Sequence, residues 1–140
     1  MNLLKYRGFQ LKRLGSIASN DMSKLMKKKL GISSSQWGVL ILLDEVPGLT
    51  IKELQNLLQI KVSSASGIIS RMEKDDLIYR VKQKDDLRVR KLFLTEHGSH
   101  IAQESQKYAN QFDEMVFKNF SDEQKILFTE LIDKMFKNLV

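Results

Sequence analysis

The sequence predicts a mainly α-helical fold that carries one small β-hairpin. Apolar residues recur at helical spacing through most of the 140 residues, and only one proline interrupts them. Three stretches, Ser33 to Gln36, Thr50 to Glu53 and Ser121 to Gln124, have the residue types of a capping box, in which each side chain satisfies the other residue's orphan backbone N–H. Between Ile78 and Leu94 the pattern changes to two short runs rich in β-branched and aromatic residues, the signature of paired strands.

Taken in order, the first helix is expected from Leu3 to Leu30, with Leu4, Leu11, Ala18, Met22 and Leu25 at helical spacing and Gly31 as its stop. The box at Ser33 opens a second helix through Trp37, Leu40, Ile41 and Leu43, ending at the Pro47-Gly48 turn. Thr50 opens a third, of two to three turns, with Ile51, Leu54, Leu57 and Leu58 apolar. A brief turn at residues 59–61 leads to a fourth helix from Val62 to about Asp75, its buried side set by Ala65, Ile68, Ile69 and Met72. Ile78 to Val81 and Val89 to Leu94 then form the hairpin around a polar tip, Gln83 to Arg88. Thr95 is placed to cap a long fifth helix in which Ile101, Ser105, Tyr108, Phe112, Met115 and Asn119 keep heptad-like spacing. Ser121 opens the last helix, with Leu127, Leu131, Met135 and Leu139 on one stripe.

Composition narrows the function. A hydrophobic content of 42% suits one compact domain over residues 1–140. The net charge of +6 favours an anionic partner, nucleic acid before membrane. Its distribution is uneven: residues 1–30 hold eight basic and one acidic residue, residues 61–91 nine and five, residues 92–140 five and eight. Without cysteine, disulfides, thiolate metal sites and thiol-based peroxide sensing are excluded chemically. The longest apolar run, Val39 to Leu43, is too short to span a bilayer, and the cations at Lys5, Arg7, Lys12 and Arg13 make the N-terminus unlike a signal peptide. No membrane association is expected, and a cytoplasmic location follows.

The order short helix, turn, helix, hairpin is that of a helix-turn-helix followed by a wing. If positions 65, 68, 69 and 72 of the fourth helix face the core, the opposite face carries Ser63, Ser66, Gly67 and Ser70, flanked by Ser64 and Arg71. Small hydroxyls allow a helix deep into a major groove and can donate to phosphates, while an arginine can read guanine. Lys82, Lys84, Arg88, Arg90 and Lys91 load the hairpin with cations. Bland readings stand beside these: serines are common on solvated surfaces, and charge on an edge hairpin protects against aggregation.

Several segments are similar to the MarR family of winged helix-turn-helix regulators: Arg71-Met72-Glu73-Lys74, Leu77-Ile78, Asp86-Leu87-Arg88 and Leu94-Thr95-Glu96-His97-Gly98. They follow the family's recognition helix, Asp-x-Arg wing and Leu-Thr-x-x-Gly exit. The resemblance implies a homodimer whose residues 1–32 and 96–140 are dimerisation helices and whose residues 34–94 are a DNA-binding lobe. It implies a repressor of a palindromic double-stranded operator, contacted by Ser63, Ser64, Ser66, Gly67, Ser70, Arg71, Lys84, Asp86, Arg88 and Arg90. Release by a small lipophilic or phenolic effector is also implied, with Arg13, Trp37, Leu40 and Ile41 as candidates to line its cleft. Two residues depart from the family: Gly67 replaces a long side chain, and Asp76 stands where a glycine usually ends the recognition helix.

Other classes compete. The winged lobe could serve as a protein-interaction module without specific DNA binding. His97 and His100 beside Glu96 and Glu104 could form part of a metal-responsive site, although two histidines without cysteine make a poor ligand set. No cofactor or resident metal is expected, and no enzyme, because Asp75-Asp76 and Asp85-Asp86 sit at turns without a nucleophile-base pattern or phosphate loop. Lys27-Lys28-Lys29 is better explained by the helix C-terminal dipole than by a phosphate contact.

Overall fold

The computed structural model describes residue 2 and residues 5–140. They form α1 (Arg7–Leu30), α2 (Ser34–Glu45), β1 (Leu49–Thr50), α3 (Ile51–Leu58), α4 (Val62–Lys74), β2 (Ile78–Lys82), β3 (Arg90–Leu94), α5 (Glu96–Val116) and α6 (Asp122–Leu139). The chain divides into two compact units, Met1–Tyr108 and Ala109–Val140.

In the first unit each helix begins and ends for a local chemical reason. α1 starts at Arg7, so the expected first turn shortens, and Leu3 and Leu4 lie outside the described residues. Gly31 ends it in the left-handed conformation at φ 72°, with its N–H on the Lys27 carbonyl. The Lys27 ammonium donates to the Gly31 carbonyl, 3.4 Å, as a cation at a helix C-terminus should. Burial on α1 is confined to Met22 and Met26, and Leu11 is exposed. Both expected boxes in this unit close: Ser33 Oγ accepts the Gln36 amide and Gln36 Oε1 accepts the Ser33 amide, and Thr50 and Glu53 do the same on α3.

The sheet has three strands rather than two, in the antiparallel order β1-β3-β2. β1 is two residues long, too short for any periodicity to announce it, and Thr50 both faces Lys91 on β3 and caps α3. Gly48 just before it holds φ 88°, and a Cβ there would press on the Phe93 ring at 3.3 Å. Met26, Leu40, Leu43, Leu54, Ile69, Met72 and Leu92 are the fully enclosed large side chains, so the core joins α1 to α4 with β3. Of the apolar residues of α3, Leu54 is buried and Leu57 exposed, because a helix of eight residues turns only one narrow edge inward.

In the second unit, α5 stops at Val116, three residues short of the stripe expected to reach Asn119. Asn119 takes φ 68°, and Phe120 N–H bonds to the Phe117 carbonyl, so a tight turn replaces the last heptad position. Phe117 packs edge-on against Phe120 and Phe128. Ser121 and Gln124 complete the third capping box. α6 has no buried residue, and its Leu127, Leu131, Met135 and Phe136 are uncovered.

Candidate nucleic-acid interface

α4 presents the polar face that its core side forces outward. Ala65, Ile69 and Met72 are buried and Ile68 half-buried, while Ser63, Ser64, Ser66, Gly67, Ser70 and Arg71 are all exposed. At Gly67 a Cβ would meet no atom within 4 Å. Nothing inside the protein requires glycine there, although a mid-helix glycine costs about 1 kcal/mol against alanine. Arg71 forms a solvent-exposed pair with Asp75 at 3.6 Å, within easy reach of exchange for another anion.

The end of α4 is bolted to the start of α5. Asp75 closes the helix and Asp76 follows at φ 58°, so the position that is usually glycine in the resembling family is indeed left-handed, occupied by a residue that tolerates it better than most. Thr95 Oγ1 donates to the Asp76 carbonyl at 2.6 Å and accepts the Gly98 amide at 2.9 Å, while the Thr95 amide bonds to the Leu77 carbonyl. A Cβ at Gly98 would lie 1.9 Å from that same Leu77 oxygen. The Leu-Thr-x-x-Gly stretch therefore holds helix against strand at backbone contact.

The wing tip is organised by Asp86. Its carboxylate accepts the Arg88 amide at 3.0 Å and its carbonyl accepts the Val89 amide at 3.1 Å, so it shapes the turn through the backbone and leaves the Arg88 side chain exposed. Lys84 is exposed as well. Arg90 differs: half-buried, its guanidinium donates to the Leu87 carbonyl and braces the turn from beneath. Of the expected wing contacts, Lys84 and Arg88 are exposed and make no bond within the turn through their side chains, while Asp86 and Arg90 also hold the turn together.

An open groove of about 590 Å³ beside the α4 N-terminus adds residues that pattern reading passed over, among them Lys52, Gln55, Asn56 and Lys61. Lys61 was legible as a cation at the turn ahead of a serine-rich helix, but only the fold brings Lys52 beside it. Lys61 at the N-cap makes no side-chain capping bond, so the first amides of α4 lack a side-chain partner from it.

The expected effector residues differ in exposure. Leu40 is wholly enclosed in the core and lines no open cleft; its position on the inner face of α2 between Val39 and Leu43 explains this. Ile41 is half-buried, and Arg13 is exposed on α1. Trp37 is half-buried, and its indole N–H donates to Ser105 Oγ at 3.0 Å, joining α2 to α5, while that hydroxyl donates to the Ala102 carbonyl. His97 and His100 are exposed on the first turns of α5, and among the described residues no three His, Asp or Glu side chains lie together as a metal site.

A short helix, a tight turn, a second helix with an exposed polar face and a basic hairpin define a winged helix-turn-helix protein. Residues 32–89 match the MarR family model. The HTH-type transcriptional repressor IacR of Pseudomonas putida is 25% identical over 131 residues, covering 94% of this chain and 78% of that protein. The structure is similar to a MarR/EmrR family transcriptional regulator from Acinetobacter sp. ADP1, with TM-score 0.91 at 17% identity, covering 99% of this chain and 98% of the other. It is also similar to S. aureus MepR in a complex with DNA, with TM-score 0.84 at 18% identity over 95% and 98% of the two chains. The winged lobe is thus similar to that of the MarR family of winged helix-turn-helix transcription regulators, and the fold of the whole chain is similar to theirs.

Proposed function

We propose that this regulator binds a roughly palindromic DNA operator as a homodimer in the cytoplasm, represses transcription there, and is released by a small lipophilic or phenolic effector. The observation that carries the reading is the exposed face of α4, where Gly67 opens the backbone among four serines and Arg71, flanked by the basic wing. A helix with such small side chains can approach the floor of a major groove closely, so Arg71 takes the base contact and the serines take phosphates. Arg88, free at the wing tip, enters the adjacent minor groove, where narrow A·T segments concentrate negative potential. The solved DNA complex of S. aureus MepR, which shares the fold, supports this mode, and the repressor IacR supports repression. The dimer rests on the apolar side chains that the isolated chain leaves uncovered on α1 and on α6. For the effector, Trp37, Ile41 and Arg13 remain the proposed contacts, on α1 and α2 near the start of α5.

The test is selection of duplexes from a random pool by the purified protein, followed by affinity measurements at several salt concentrations. Enrichment of a palindromic site, with a steep fall in affinity as salt rises, is expected. Failure to enrich any sequence would transfer the basic wing to the protein-interaction reading.

A further inference from the structure

Among the described residues, three of the four ion pairs are i,i+3 or i,i+4 contacts along a single helix with well-exposed partners. Glu73 and Arg80 are different. Glu73 lies on α4 and Arg80 on β2, the first strand of the wing, and Arg80 Nε donates to Glu73 Oε1 at 2.8 Å, with each side chain only 33% exposed. Partial cover and a short, charge-assisted bond between two elements give this pair, among the four, the geometry to hold an orientation. Neither residue belongs to the Ser63 to Arg71 face or to the wing tip. β2 connects to the helix by a short turn, Asp75 to Leu77, and pairs with β3, so the angle at which β2 leaves α4 fixes where the whole hairpin points.

Resting on the DNA-binding reading above, we propose that Glu73 and Arg80 form a strut that sets the wing against the recognition helix, so that Arg71 and Arg88 meet adjacent grooves together. The pair consists of positioning residues, and binding two grooves at once depends on them: a wing free to swing pays an ordering entropy on each encounter, and Arg88 loses its register. Electrostatics alone predicts the opposite effect for one variant. Glu73→Gln removes a negative charge close to the phosphates and by charge should tighten binding to every duplex. The strut predicts weaker binding, by roughly tenfold, in the range of measured pair couplings, with the loss concentrated on A·T-rich flanks where Arg88 acts.

The experiment measures affinity of the full-length protein for the selected operator with A·T-rich and G·C-rich flanks, for the parent, Glu73→Gln, Arg80→Gln and the reversed pair E73R/R80E, with a thermal melt of each free protein. Expected are weakened, flank-insensitive binding by both single variants and recovery of flank discrimination by the reversed pair, at little change in melting. Recovery distinguishes a strut from an Arg80 that touches DNA itself, since the reversed pair places a carboxylate at that position. Tighter or unchanged binding by Glu73→Gln on both flanks overturns the strut, as does a folded reversed pair that stays as weak as Arg80→Gln. A parent that selects no operator overturns the DNA-binding reading and the strut with it, whereas parent binding without the variant pattern overturns the strut alone.

Discussion

At Gly67 helix stability and DNA contact call for different residues. With open space around its absent side chain, Gly67→Ala should stabilise α4 by about 0.5–1 kcal/mol in urea unfolding. If the backbone there meets DNA, the same substitution should weaken operator binding; a variant that is more stable and binds as well as the parent would remove Gly67 from the interface. Arg71 and Arg88 separate in kind. Arg71→Ala should cost roughly 1–3 kcal/mol and relax specificity at one position of each half-site. Arg88→Ala should weaken binding chiefly on A·T-rich flanks and lower the salt slope by about one counterion. Arg90 also braces the turn through its bond to the Leu87 carbonyl, so Arg90→Ala should loosen the wing as well as weaken binding.

Among the elements, α3 and the α4–α5 junction carry predictions of their own. The Glu53 carboxylate accepts the Thr50 backbone N–H, and this bond, with the Thr50 hydroxyl and the Lys91 charge, holds its pKa below the ordinary 4.5. A folded-state pKa that is depressed contributes stability above the ordinary value, and that contribution is lost as pH falls through the lowered value. The stability advantage of the parent over Glu53→Gln should therefore be present at neutral pH and shrink as unfolding is followed below pH 4.5. Gly98→Ala would force a methyl into the Leu77 carbonyl, which already accepts the Thr95 amide. A loss of about 1–3 kcal/mol is expected, overpacking against backbone being hard to relax; a neutral result would mean that α5 shifts freely on the strand.

For the whole molecule the uncovered stripes are the main fact. Tyr6, Phe9, Leu11, Leu14 and Ile17 on or just ahead of α1, and Leu127, Leu131, Met135 and Phe136 on α6, are exposed in the isolated chain. Apolar surface of this extent calls for a partner. Deletion of residues 121–140 should abolish the proposed dimer and operator binding together, and sedimentation of a stable, folded monomer of the intact chain at micromolar concentration would contradict the proposed assembly. Because the chain contains no cysteine, peroxide should leave operator affinity unchanged apart from slow methionine oxidation. Rapid loss reversed by a thiol reductant would refute release by a reversibly bound small molecule.

Much of this was legible in the residues because it is local. A capping box is a contract between residues three apart, and all three close as read. Periodicity placed the core side of α4, and its serine face followed by geometry. The left-handed stop at Asp76 was marked by the residue standing in for glycine. Tertiary structure decided what sequence spacing cannot encode: a two-residue strand whose partners lie more than 40 positions away, the enclosure of Leu40, the exposure of Leu57 and the end of α5 before Asn119. It also decided which cations are free. Arg88 and Arg90 look alike in the chain, and Arg80 looks like one more basic residue of a basic wing, but a side chain's partner depends on which atoms the fold brings within 3 Å. Charge is a property of the sequence; whether that charge is available to DNA is a property of the packing around it.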